Sequence, residues 1–211
     1  MRITHFGHSC VLLETGTARL LVDPGCWSHG FEDLRDLDAV LVTHKHADHL
    51  DVDRLAALLA ANPHAELITD PASAVDLAGH DARVLHAGED AEVAGAAIAA
   101  VGGSHASIHP EVEVPPNVGY VIDHGAFYHP GDSLHVPEQR VDVLGLPTGA
   151  PWLKLSEAVD FFRAVAPRAA VPIHEMTLSR AGIDISLARF DGLAPDGAKL
   201  VVLPLADTTE V

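Results

Sequence analysis

The chain has 211 residues, 48% hydrophobic and 20% charged, a balance that excludes a disordered or fibrous polypeptide. Its formal net charge of −17 argues against a general nucleic-acid or anionic-membrane binder, because a uniformly acidic surface repels both. Only two cysteines are present, Cys10 and Cys26, outside any paired-cysteine metal motif, and both are expected as buried, reduced thiols.

The opening residues Met1 to Phe6 read as a strand without the charged, apolar and small-residue zones of a signal peptide. No apolar run reaches membrane-spanning length, so a soluble, cytoplasmic protein is expected. Val11–Glu14 and Ala18–Asp23 flank Thr15-Gly16-Thr17 as a hairpin, and Asp23-Pro24-Gly25 breaks the second strand. Asp38–Thr43 is a short apolar run of the kind that forms a buried strand. Asp51–Ala60 has helical spacing, with an acidic start and Pro63 beyond its end.

The pattern continues with a strand at Glu66–Thr69, a short helix from Pro71 to Leu77 and a strand at Arg83–His86. Strands are predicted around Val93 and over Ala96–Val101, Gly119–Asp123, Phe127–His129 and Val141–Gly145. Ser156–Val165 reads as a helix capped by its serine, followed by a strand at Ala169–Ile173. A helix at Ile185–Phe190 and a strand at Lys199–Leu203 complete the prediction. The longest irregular stretch is Ser104 to Pro116. Strands and helices mix throughout without a linker, so one α/β domain of layered sheets over residues 1–211 is expected.

Histidine is over-represented, at 15 residues against 13 for lysine and arginine together. Position gives this meaning. His44, His46, Asp48 and His49 fall within six residues, directly after the apolar strand. Strand ends let a rigid scaffold aim loop side chains at one point. Three imidazoles and a carboxylate suit borderline divalent metals. The two-residue spacing lets His44 and His46 share one metal, and Asp48 and His49 point toward a second. His105, Asp132 and His174 each follow a predicted strand and supply further candidate donors.

In this order, His44-x-His46-x-Asp48-His49, His105, Gly131-Asp132 and His174 resemble the metallo-β-lactamase-fold hydrolase superfamily. Phe6-Gly7-His8-Ser9-Cys10, Leu21-Val22-Asp23-Pro24, Leu146-Pro147-Thr148-Gly149-Ala150 and Val171-Pro172-Ile173-His174 are similar to a particular subgroup. That subgroup includes ascorbate-6-phosphate lactonase and N-acyl-phosphatidylethanolamine phospholipase D. The resemblance implies a four-layer αββα sandwich and a two-metal site. One metal would lie on His44, His46 and His105, and the other on Asp48, His49 and His174, with Asp132 bridging them.

It also implies a hydrolase acting on a small lactone, ester or phosphodiester. Zinc is the first expectation for the two divalent ions, and manganese or iron is accepted by the same donors. Leu50-Asp51 stand where glyoxalase-II-type members carry glycines, which argues against thioester hydrolysis. The chain is also too short for the inserted domain of nucleic-acid-processing members. The expected partner is therefore a small molecule, and an anionic group on it would be attracted by the metals. A rival expectation is a metal-bound redox or sensor protein on the same fold.

Around the donors, Asp48 is the candidate catalytic carboxylate. Asp23 is a candidate support for a ligand imidazole, and His8 a candidate cleft residue. Trp152 is expected to pack in the core, with lining the pocket as the alternative, and His109 and His135 to sit on exposed loops, with substrate contact as the alternative. The remaining histidines are expected to be structural or on the surface.

Overall fold

The structure is a computed structural model that describes residues 1–211. The first half of the chain forms β1 (Arg2–His5), β2 (Val11–Glu14), β3 (Arg19–Val22), β4 (Ala39–Val42), α1 (Val52–Ala61), β5 (Glu66–Thr69), α2 (Pro71–Asp76) and β6 (Ala82–Val84). There follow β7 (Asp90–Val93), β8 (Ala96–Gly102), β9 (Val118–Ile122), β10 (Phe127–His129), β11 (Val143–Pro147), α3 (Leu155–Val165), β12 (Ala169–Ile173), α4 (Arg180–Leu193), β13 (Lys199–Leu200) and β14 (Thr208–Glu210). One sheet has the order β14-β1-β2-β3-β4-β5-β6 and the other β13-β12-β11-β10-β9-β8-β7.

Each sheet is antiparallel in one half and parallel in the other. In the first, β1, β2 and β3 pair antiparallel, then β3, β4, β5 and β6 pair parallel. In the second, β7 to β10 pair antiparallel and β10 to β13 parallel. Parallel neighbours require crossovers; α1, α2, α3 and α4 supply four of the six, and loops make the β3–β4 and β10–β11 connections.

The layering follows from the period-two alternation of strand side chains. Val11, Leu13, Leu20, Val22 and Leu41 of the first sheet share one buried cluster with Ile98, Tyr120, Val143 and Val171 of the second. The residues between them point outward. Leu12, Leu21, Val40 and Val42 pack with Leu55 and Leu58 of α1, while Leu144, Leu146 and Ala170 pack with Phe161 and Phe162 of α3 and Phe190 of α4. The result is the four-layer αββα sandwich of the metallo-β-lactamase fold. In the central strands β4, β11 and β12 both faces are apolar because both are covered, so they read as unbroken hydrophobic runs, whereas β7 and β8 alternate.

Three expectations are corrected. The helix α3 starts at Leu155, not at a Ser156 cap; Glu157 instead accepts the Lys154 N–H, and Ser156 lies in the first turn. The helix α4 spans Arg180–Leu193, well beyond Ile185–Phe190, and is capped by Ser179 accepting from the Gly182 N–H. The predicted last strand ends at Leu200, and a further strand, β14, returns to pair with β1.

Cys10 is buried, but Cys26 is partly exposed, so only one thiol of the expected pair is sealed in the core. Burial pushes the Cys10 thiol pKa well up. In the native protein a thiol reagent should therefore modify one cysteine per chain, Cys26, and a second only on denaturation. Two equivalents reacting at equal rates under native conditions would contradict this packing. No helix is long and apolar enough to cross a membrane.

Candidate metal centre

Every candidate residue lies just past the C-terminal end of a strand. His8 follows β1, Asp23 follows β3, and His44 to His49 follow β4. His105 follows β8, Asp132 follows β10, and His174 follows β12. Both sheets therefore deliver donors to the same end of the sandwich, the end where open α/β sheets characteristically bind ligands. The donors form two groups, each with its ligand-type atoms within 4.8 Å of one another. One is His44, His46, His105 and Asp132; the other is His8, Asp48, His49 and His174.

Asp132 reaches both groups. Its Oδ2 lies 3.2 Å from His105 Nε2 and 4.0 Å from His44 Nε2. Its Oδ1 lies 3.0 Å from both His49 Nε2 and His174 Nε2. Yet Asp132 Oδ1, His105 Nε2 and His174 Nε2 are buried atoms without a hydrogen-bond partner. Buried polar atoms are rarely left this way, and a shared cation satisfies them together.

The outer nitrogens show how the rings are set. His174 Nδ1 donates to the Gly149 carbonyl at 2.7 Å, His105 Nδ1 to the Ala106 carbonyl at 2.5 Å and His49 Nδ1 to Asp23 at 2.6 Å. Thr43 Oγ1 donates to Asp23 at 2.7 Å, so it must accept from His44 Nδ1 at 3.1 Å. Each of these four rings thus spends its outer N–H on a fixed acceptor and turns the other nitrogen inward, as in metal sites where outer contacts hold the tautomer. His46 has no such anchor; its Nδ1 lies 3.0 Å from His44 Nε2.

The electrostatics agree with a site built for positive charge. Burial holds the His44 pKa well below the ordinary value, and the neighbouring His49 lowers it further. Burial also opposes charge on His49, but Asp132 and Asp23 on its two sides outweigh burial and raise its pKa well above the ordinary value. Burial would raise the Asp132 pKa, but His49 and His174 hold it well below the carboxylate range.

Asp23 is fully buried and accepts from the Thr43 N–H at 2.8 Å, the Thr43 hydroxyl and His49 Nδ1. It ties the start of the donor loop to the last imidazole of that loop. Asp23→Asn keeps the shape but removes the charge-assisted acceptor. It should weaken metal affinity by about 10- to 100-fold in a chelator competition, the usual effect of losing such a contact. An unchanged affinity would remove Asp23 from the site.

His8 is buried and contacts the cluster directly, with Nε2 3.0 Å from Asp48 Oδ2. The Met176 N–H points at His8 Nδ1 at 3.4 Å, so the ring proton is on Nε2 and is donated to Asp48. Burial lowers the His8 pKa to about 4, partly offset by this bond. Burial would raise the Asp48 pKa, but the His8 bond and His49 bring it down to about 2.

His8, Asp23 and His174 all have left-handed backbone, with φ of 53°, 51° and 60°. For non-glycine residues this costs about 1–3 kcal/mol each, and such strain concentrates at functional sites. The His174 N–H donates to the His8 carbonyl at 2.8 Å, joining two of these turns across the sheets.

Trp152 is buried and also reaches the site, donating its indole N–H to Asp132 Oδ2 at 2.8 Å, so both of its expected places hold in part. Several further neighbours were not foreseen. Asn117 accepts the Asp132 N–H and donates to the Pro130 carbonyl. His129, read as structural, anchors the same turn, donating to the Ser9 carbonyl and accepting the Gly131 N–H. Glu175 accepts the His8 N–H at 3.0 Å, and Trp27 sets its ring edge-on to His8. His109 and His135 both lie on exposed loops, as expected.

The family profile described as beta-lactamase superfamily domain matches residues 2–174. The chain belongs to the beta-lactamase superfamily. Superfamily relatives include protein Rv0786c of Mycobacterium tuberculosis, 54% identical over 83% of this chain and 84% of that one. A protein of Opitutus terrae, named a UPF0173 metal-dependent hydrolase, is 30% identical over 82% of this chain and 84% of its own. Among solved structures, Igni18, a metallo hydrolase from Ignicoccus hospitalis, superposes with a TM-score of 0.76. It is 24% identical and covers 99% of this chain and 97% of its own, a likeness that concerns the fold. The chain is thus a superfamily member with His/Asp clusters able to hold metal, among relatives named metal-dependent hydrolases.

Proposed function

We propose that this superfamily member is a hydrolase working through two divalent cations, zinc first, on a small lactone, ester or phosphodiester. The carrying observation is the inward turn of the imidazoles around a carboxylate whose two oxygens face different donor groups. His44, His46 and His105 would hold one cation and Asp48, His49 and His174 the other, with Asp132 shared. Bound cations of this kind lower the pKa of water toward neutrality and polarise a carbonyl or phosphoryl oxygen.

The chain's own groups do the rest. Asp48 is the more open of the two cluster carboxylates, with its side chain 18% exposed against 5% for Asp132. One of its oxygens is held by the His8 N–H, which leaves the carboxylate oriented to take a proton from the attacking water. Asp132 is sealed by Trp152 and its turn, so it supplies fixed negative charge and does not exchange protons with the cleft.

The test is metal analysis joined to turnover. Purified protein should contain about two metal equivalents, as a site with two donor groups requires. It should cleave a chromogenic ester, lactone or phosphodiester, lose that activity to a chelator, and regain it on zinc or manganese addition. Turnover that survives complete metal removal would end this reading. A coloured, iron-loaded protein that cycles between oxidation states and cleaves none of the three substrate classes would favour the redox alternative.

A further inference from the structure

We infer that Glu175 is a positioning residue, whose carboxylate clamps the His8 turn and through the His8 ring sets the direction of Asp48. The catalytic consequence rests on the hydrolase reading, in which Asp48 is the proton-accepting carboxylate.

The contacts form an unbroken chain. His8 lies past the end of β1 in the first sheet, and His174-Glu175-Met176 lie past the end of β12 in the second. Those three consecutive residues each hold a different group of His8. The His174 N–H donates to the His8 carbonyl at 2.8 Å, Glu175 Oε1 accepts the His8 N–H at 3.0 Å, and the Met176 N–H points at His8 Nδ1 at 3.4 Å. His5 Nε2 donates to the same carbonyl at 2.9 Å. The remaining polar atom of the ring, Nε2, donates to Asp48 Oδ2 at 3.0 Å.

Of the three consecutive residues, only Glu175 holds His8 through a side chain, so its contact is the one a substitution removes. His8 is fully buried, so its N–H cannot turn to water, and Glu175 is its acceptor. The left-handed backbone of His8, with φ of 53°, persists in a non-glycine residue only when its surroundings hold it. Without the acceptor the turn should relax and the ring should leave Asp48. The second oxygen, Oε2, is a buried atom without a hydrogen-bond partner, 3.8 Å from His5 Nε2. One oxygen therefore does the holding, and an amide can replace the carboxylate.

The experiment compares three variants, all zinc-loaded. Glu175→Met keeps the length and loses the acceptor, Glu175→Asp withdraws the acceptor by one methylene, and Glu175→Gln keeps it. The first readout is the nitrogen-coupled proton NMR signal of His8 Nε2–H, assigned by its loss in His8→Gln. The second is kcat and KM for a chromogenic ester. The parent should show the proton, sheltered by burial and by its bond to Asp48. Glu175→Met and Glu175→Asp should lose it and lower kcat by about 10- to 100-fold with KM unchanged, the usual effect of losing a contact that orients a ligand carboxylate. Glu175→Gln should restore the signal and most of the lost kcat.

Absence of the proton in the parent would overturn the role, as would parent-like signal or kcat in Glu175→Met or Glu175→Asp. A Glu175→Gln variant no better than Glu175→Met would do the same. Failure of both Glu175→Met and Glu175→Asp to fold, judged by circular dichroism, would make Glu175 a structural residue and overturn it too. A parent without ester turnover removes the hydrolase reading alone, and the His8 proton then decides whether Glu175 positions the ring.

Discussion

Asp132→Asn should lower metal-dependent turnover by on the order of 10³-fold, the scale seen when a preorganised charge-stabilising group is lost. Asparagine keeps the volume, and its side-chain oxygen can still accept the Trp152 N–H, so the turn held by Asn117 and His129 should stay folded. What is lost is the one anionic group that faces His49 and His174 with one oxygen and His105 with the other. The bound metal should fall from about two equivalents toward one or fewer, because neither donor group retains its shared carboxylate. Circular dichroism establishes folding, and metal analysis and turnover are read on the same sample. Activity within tenfold of the parent, at full metal content, would exclude Asp132 from the chemistry.

Gly25→Ala should be as damaging, though the residue carries no side chain. A Cβ there would sit 1.8 Å from the Asp48 carbonyl oxygen and 2.0 Å from its carbon. Both are backbone atoms of the donor loop, so no rotamer change relieves the clash. The approach is fixed by bonds on either side: Cys26 N–H donates to the Ala47 carbonyl and Asp51 N–H to the Pro24 carbonyl. Arg54 holds the same segment, donating to the Gly25 and Ser28 carbonyls. Overpacking of this kind costs about 1–3 kcal/mol. At this chain length that corresponds to a Tm lowered by about 2–12 °C. Metal content should fall with it, since Asp48 and His49 move together. A Tm and metal content equal to the parent's would show that the loop can shift freely.

The two variants also mark what was legible in the sequence. His44 to His49 could be read because four donors fall on one short loop behind an apolar strand. The sheets could be read because each buried strand is an apolar run between turn residues. His105, Asp132 and His174 were visible as donors at strand ends, but their assignment to particular metals came from resemblance. The close approach of Gly25 to Asp48 and the indole bond to Asp132 were not visible, because each joins residues more than nineteen positions apart through the folded backbone. The helix α4 was under-read because it buries only Ser186 and Phe190 and so has little apolar periodicity. The strand β14 was missed because Thr208-Thr209-Glu210 carries no hydrophobic alternation and is ordered by its pairing with β1.

The division of donors between the sheets has a mechanical consequence. His44 to His49 hang from the first sheet, while His105, Asp132 and His174 hang from the second. Cations shared between those two sets would rivet the halves of the sandwich together along one rim. The opposite rim has only side-chain packing and backbone bonds to hold it. Stripping the metal should therefore loosen the molecule like a clasp opened at one end, with amide exchange accelerating first in the loops after β4, β8, β10 and β12.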